Sequence, residues 1–206
     1  MKGIIRSILY NATLLYHSIC GLDFIRKDTT VHNKYNNGYG FTDRNQIKII
    51  VNFIKTKRLD SLLDNFLDVG CGKGYVLAQM AYRNNVQLAG IECVPHLASI
   101  AYNNFKRMKI DNRLSIYLKD ALEFKDYANY STLFMYNPFP KEIMTRFIKK
   151  VFEAKTGQEY LIIYIHPQYH EEIMQTGHFA LIGSFYGKFR PQLINIYYSS
   201  PKNSLK

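Results

Sequence analysis

A chain of 206 residues is sized for one ordinary domain with some extra length, and its 47% hydrophobic content, with 17 Tyr and 13 Phe, supplies an ample core, which excludes a disordered class. The formal net charge of +11 draws anions such as nucleic acid, acidic lipid or phosphorylated substrates, although heavy use of Lys, Asn, Ile and Tyr explains the same excess as compositional bias. Three dispersed cysteines, Cys20, Cys71 and Cys93, form no C-x-x-C pair, so neither a disulfide framework nor a metal site is encoded, and a reducing, cytoplasmic setting fits them.

The first candidate element is ILYNATLLYHSICGL. Asn11, Thr13, His17 and Ser18 interrupt its apolar run, it has no A-x-A-like cleavage site, and it is too short to span a bilayer. It reads as an amphipathic N-terminal helix, with contact to a membrane surface as a lesser alternative. KYNNGYGFTDRN, from Lys34 to Asn45, reads as a loop, and the next stretch places Ile47, Ile50, Val51 and Ile54 on one helical face. The expected division is a helical extension and covering loop over 1–60, then a main domain over 61–206.

From Asn65 onward the pattern changes. FLDVG, VQLAGIE, RLSIYL, LFMYN and YLIIYI are strand candidates; helices are expected from Tyr75 to Tyr82, from Pro95 to about Met108, and over KEIMTRFIKKVFEA. Strands separated by helices imply crossovers and a parallel sheet. After His166 come a short helix and two strands joined at Gly187 to Pro191, too short a link for anything but an antiparallel pair. The expected fold class is α/β, Rossmann-like, with a seven-stranded, mostly parallel sheet, an antiparallel C-terminal hairpin and an N-terminal helical extension.

FLDVGCGKGYVL, Phe66 to Leu77, carries the most specific pattern. Glycines let a ligand approach the backbone closely. A phosphate-binding loop requires G-x-x-x-x-G-K-[ST], but Lys73 stands between Gly72 and Gly74; the dinucleotide pattern requires a glycine where Tyr75 stands. There remains G-x-G-x-G with Asp68 two positions ahead, suited to a cofactor with an amino acid tail and no phosphates. Glu92, about 20 residues on at a strand end, can accept bonds from both hydroxyls of a ribose, and Asp120 in LKDALEF is placed to meet an adenine edge. Each carboxylate alone could equally be a solvated strand-end residue.

DVGCGKG, GIE, KDA and YNPF together resemble the class I S-adenosylmethionine-dependent methyltransferases, over roughly Tyr39 to Ser199. Closest in pattern are small bacterial members with a Tyr-Asn-Pro-Phe fourth motif. The resemblance implies that Asp68, Gly70, Cys71, Gly72 and Gly74 line the methionine moiety, that Glu92 with Cys93 takes the ribose, and that Asp120 with Ala121 takes the adenine. Tyr39, Phe41 and Thr42, in YGFT, would fold over the cofactor.

LFMYNPFP, Leu133 to Pro140, ends the fourth strand where an acceptor must meet the methyl group. Asn137, at the cofactor's edge, can accept hydrogen bonds from a target amine, and Phe139 can stack on a flat substrate or sheath an aliphatic one. Alternatively, Asn137 and Pro138 only end the strand and cap the next helix. The motif departs from the [DN]-P-P-[YF] signature of amino-methyltransferases, with Phe139 in place of the second proline and Pro140 in place of the aromatic. The expected function is therefore N-methylation of a protein side chain or a small molecule. A nucleic-acid base methyltransferase and a non-catalytic cofactor-binding scaffold are the alternatives. His166 is expected at the fifth strand's end, near the site. His166 and His170 lack H-E-x-x-H spacing and are not read as metal ligands.

Overall fold

The computed structural model describes residues 15–17, 19–24, 42–83, 86–187 and 191–201. Most of the expected N-terminal helix, and the loop positions Tyr39 and Phe41, lie outside the described residues. Helix α1 (Arg44–Thr56) starts at Asp43, whose carboxylate accepts from the backbone N–H groups of Asn45 and Gln46, while the Gln46 side chain accepts from the Asp43 N–H in return. This reciprocal cap satisfies donors that a helix start otherwise leaves open. Ile47, Ile50 and Ile54 are then buried on one face, as the spacing predicts.

The remaining elements follow in the order β1 (Asn65–Val69), α2 (Tyr75–Met80), β2 (Gln87–Glu92), α3 (Pro95–Met108), β3 (Leu114–Leu118), β4 (Thr132–Tyr136), α4 (Lys141–Ala154), β5 (Tyr160–Ile165), α5 (His170–Met174), β6 (Ala180–Tyr186) and β7 (Leu193–Ser199). The seven strands form one sheet in the order β3-β2-β1-β4-β5-β7-β6. All pairs from β3 to β5 are parallel, and β7 runs antiparallel to both β5 and β6. This is the α/β sheet and terminal hairpin expected from the alternation of runs. The chain leaves β1 in one direction toward β2 and β3, then returns to β4 on the other side, which opens a crevice at the carboxyl ends of β1 and β4.

Alternate residues feed two apolar layers. Phe66, Leu161, Ile163 and Ile165 face one layer, with α1 and α2; Leu67, Val69, Ile162 and Tyr164 face the other, with Met144 and Phe147 of α4. Such alternation is what a strand buried on both faces requires. Each fully buried Ile or Leu contributes about 1.5–3 kcal/mol of transfer free energy. Helix α1 lies close against β6: a side chain at Gly183 would meet the Phe53 ring, at 2.6 Å. Among the described residues no helix is long and apolar enough to cross a membrane.

Candidate functional site

The glycine loop leaves β1 at Val69 and is held by backbone bonds before any ligand is considered. The N–H groups of Gly70 and Cys71 both donate to the Ile91 carbonyl of β2, at 2.9 and 3.0 Å, and Gly74 N–H donates to Cys71 O at 2.9 Å. Gly70 has φ 75° and Gly74 φ 81°, a region closed to most side-chain-bearing residues. The two glycines leave room for different neighbours. A Cβ on Gly70 would come to 3.0 Å from Pro138 of the fourth-strand motif, so the glycine loop and the proposed acceptor motif touch. A Cβ on Gly74 would strike Phe105 and Ala101 of α3, so this glycine lets two helices pack.

Glu92 turns inward. It is buried, and its two oxygens accept from Gly72 N–H at 2.8 Å and Val94 N–H at 2.9 Å. These bonds orient the carboxylate. Burial raises its pKa, against the lowering effect of the Val94 and Gly72 amides. Asp68 is also buried. Burial first, and then the Glu92 charge, holds its carboxyl well above the usual range. Cys71 lies between them and its thiol is pushed up, mainly by burial. Two carboxylates buried in one crevice favour a cationic guest, because an opposite charge offsets the burial that raises both and the Glu92 charge that further raises Asp68.

One strand further out, Asp120 and Ala121 follow β3, whose Leu118 pairs in register with Glu92. Asp120 is exposed and accepts from Leu122 N–H at 2.7 Å; Ala121 is buried, and its carbonyl receives the Tyr127 hydroxyl at 2.7 Å. Cys93 is exposed beside Glu92. Thr42, the described part of the expected covering loop, is buried.

At the end of β4, Asn137 is buried with φ 39°, a conformation Asn tolerates better than most residues. Its Oδ1 accepts the Tyr164 hydroxyl of β5 at 2.8 Å. Helix α4 starts after Pro140, whose side chain makes no cap bond. Phe139 is partly buried, its ring 5.2 Å from that of Phe147. His166 lies exposed at the end of β5 with φ 55°. His170 Nδ1 is 2.9 Å from the Tyr197 hydroxyl.

Two groups at the site were not singled out from the sequence. Lys73, inside the glycine motif, is almost fully buried and pairs with Asp23 at 2.9 Å. Asn104 of α3 joins both, donating to the carbonyls of Asp23 and Lys73 and accepting from Asp23 N–H. Phe24 packs edge-on against Tyr75, the residue that stands where a dinucleotide loop would have glycine. A lysine between two glycines of a buried loop was the available signal. Tyr164 is the other group: a buried phenol usually finds a polar partner, and here it is Asn137.

A family model described as a methyltransferase domain matches residues 61–179. An rRNA adenine N-6-methyltransferase of Limosilactobacillus reuteri is 34% identical over 131 residues, 59% of this chain and 52% of that protein. A tRNA1(Val) (adenine(37)-N6)-methyltransferase of Aliivibrio salmonicida is 32% identical over 76 residues, 36% of this chain and 32% of that protein. The chain thus spans about half the length, or less, of these curated relatives. An RNA methyltransferase from Salinibacter ruber in complex with S-adenosyl-L-homocysteine superposes with TM-score 0.57 at 14% identity, over 78% of this chain and 94% of that one. A magnesium protoporphyrin IX methyltransferase from Synechocystis PCC 6803 with bound SAM gives 0.58 at 14%, over 79% and 87%. At these identities the likeness shows the fold.

Proposed function

The chain belongs to the methyltransferase-domain family, and from that premise we propose that it transfers the methyl group of S-adenosylmethionine to the exocyclic amine of an adenine in RNA. The observation that carries the reading is the contact between Gly70 and Pro138 beside buried Asn137, because it sets an amine-binding side chain against the cofactor loop. The residues present fit the cofactor: Gly70 brings a bare backbone against Pro138, and Asp68 and Glu92 place two buried carboxyl groups where a cationic nucleoside would be paired. Gly70, Cys71, Gly72 and Asp68 would hold the methionine portion, Glu92 with Cys93 the ribose, and Asp120 with Ala121 the base. Gly74 supports the same loop from beneath, and Thr42, with Tyr39 and Phe41, would cover it. When bound, S-adenosylmethionine would supply a methyl group on positively charged sulfur, an electrophile that an acceptor amine could attack with its lone pair.

Asn137 holds the acceptor amine. Its carbonyl oxygen has two lone pairs and can take the Tyr164 proton and an amine proton together, which orients the amine's lone pair. Phe139, seated on Phe147, offers a flat face at the same rim. The acceptor class draws support from the names of the two curated relatives and from the net charge of +11. A protein side chain or small-molecule amine is the second reading, favoured by the irregular order of Phe139 and Pro140. The three free cysteines support a cytoplasmic setting. The 1–60 extension is assigned to covering the cofactor and shaping the pocket, and 61–206 to catalysis.

The test incubates the protein with tritiated S-adenosylmethionine and modification-free, in-vitro-transcribed ribosomal RNA and tRNA, then digests the RNA and separates the nucleosides. Label in N6-methyladenosine is expected. Asn137→Ala is expected to cut turnover by about 100-fold or more while cofactor affinity stays within about twofold. Label in added protein or metabolite and none in RNA sinks the adenine reading. Unchanged turnover in Asn137→Ala sinks the acceptor site.

A further inference from the structure

The fifth strand places one polar atom where it acts on the acceptor site. Tyr164 is fully buried and lies in register with Met135 of β4, which is two residues ahead of Asn137. Its ring is packed in the apolar layer beneath α4, and its hydroxyl reaches Asn137 Oδ1 at 2.8 Å across 27 residues of sequence. A phenol has a single proton to give. At 2.8 Å from Oδ1, that proton goes to Asn137.

An asparagine amide has two ends of nearly equal size and opposite hydrogen-bond character, and only its partners decide which end faces which way. A donor on the protein side selects the orientation in which Oδ1 lies at the junction of Tyr164 and the acceptor pocket. Asn137 also has φ 39°, so its backbone is held out of the ordinary regions, as is common for residues at functional sites. We infer that Tyr164 is a positioning residue for methyl transfer, fixing the Asn137 amide so that its oxygen, and not its NH2 group, meets the acceptor amine. This rests on the reading of Asn137 as the amine's hydrogen-bond acceptor. Tyr164 itself does not touch substrate.

Tyr164→Phe removes the hydroxyl and keeps the ring. Turnover on the labelled RNA is expected to fall about 10- to 100-fold, with KM for RNA and Kd for S-adenosylhomocysteine within about twofold, since a misaimed group costs rate before it costs binding. The discriminating variant is Asn137→Asp. A carboxylate has two identical ends and needs no choice of orientation, so in that background Tyr164→Phe is expected to change turnover less than about threefold. An equal loss in both backgrounds would show that the tyrosine acts through packing and overturn the inference. Full turnover of Tyr164→Phe beside an inactive Asn137→Ala overturns the tyrosine's role alone, whereas full turnover of Asn137→Ala overturns the acceptor-site reading beneath it. A readout free of the acceptor is the 15N-labelled side-chain amide of Asn137. It is expected as one sharp pair of proton signals in the parent and broadened or split in Tyr164→Phe; identical signals in both proteins overturn the inference.

Discussion

The two edges of the sheet bury charge in opposite ways. At the carboxyl edge, Asp68 and Glu92 share one crevice, and burial together with their mutual repulsion raises the Asp68 carboxyl far above its ordinary range. At the amino edge, Lys155 follows α4 and is equally buried, but its ammonium donates to the carbonyls of Tyr127 and Tyr130 and to the Gln158 side chain, and lies 4.7 Å from the centre of the Tyr160 ring. One edge gathers two buried carboxyl groups, which the proposed cationic cofactor would pair. The other surrounds a single charge with the protein's own acceptors. Binding sites of this kind are distinguished from structural buried charges by what the protein leaves for a ligand to complete.

The largest effect is expected from removing the carboxylate that ties the two halves of the crevice together. Glu92→Ala deprives Gly72 N–H and Val94 N–H of their acceptor and removes the proposed ribose partner in one change. Calorimetry with S-adenosylhomocysteine is expected to show affinity weakened by at least about 100-fold, or about 2.7 kcal/mol. An affinity within threefold of the parent would place the nucleoside elsewhere and erase the contrast between the edges.

Asp68→Asn sharpens the contrast, because it removes charge while keeping shape. Binding of S-adenosylmethionine is expected to weaken about tenfold, about 1.4 kcal/mol, and binding of the homocysteine product, which lacks the sulfonium charge, less. The same substitution is expected to raise the melting temperature of the ligand-free protein. The pH dependence has a definite sign. With its folded pKa raised, Asp68 holds a proton to higher pH in the folded chain than in the unfolded one. Its stabilising contribution is therefore present in acid and lost as pH rises through the folded value, while affinity for the cationic cofactor grows over the same interval. Both slopes are expected to flatten in Asp68→Asn, measured by thermal melts and calorimetry across that range.

The sheet was legible in the sequence because its signals are local. YLIIYI is apolar at every position, as a strand buried on both faces must be, and Pro95 begins α3 where its missing N–H has no helical partner to lose. The glycine motif and Glu92 were legible through spacing: 20 residues separate Gly72 from the carboxylate that it contacts. The contacts that complete the site have no such period. Lys73 meets Asp23 across 50 residues and Tyr164 meets Asn137 across 27, and each pair is made by tertiary packing between elements whose own patterns are satisfied without it. The same holds between β3 and β4, where a single turn of 3-10 helix (Tyr127–Asn129) replaces a crossover helix and Tyr127 anchors it through the Ala121 carbonyl. An exposed Asp120 bonded to Leu122 likewise shows a strand-end carboxylate organising its own loop, a local task compatible with meeting a base.

The smallest effect is expected at the amino edge. Burial lowers the Lys155 pKa from its usual value to about 8. The folded chain then gives up this proton before the unfolded chain does, so between about pH 8 and the ordinary lysine value the unfolded state binds more protons and stability rises with pH. Many other groups titrate in alkali, and the comparison therefore runs against Lys155→Met, which fills similar volume without a proton to lose. The difference in melting temperature, parent minus variant, is expected to grow in the parent's favour by a few degrees across that interval. Near neutral pH the variant is expected to melt lower, because the carbonyls of Tyr127 and Tyr130 lose their donor in a buried place. S-adenosylhomocysteine affinity is expected to stay unchanged, since the bonds of the Lys155 ammonium go to Tyr127, Tyr130 and Gln158 and not to the crevice. A shift in cofactor affinity in Lys155→Met, without a change in the crevice itself, would show that the two edges are coupled through β4 and β5 and that their separate treatment of charge is not independent.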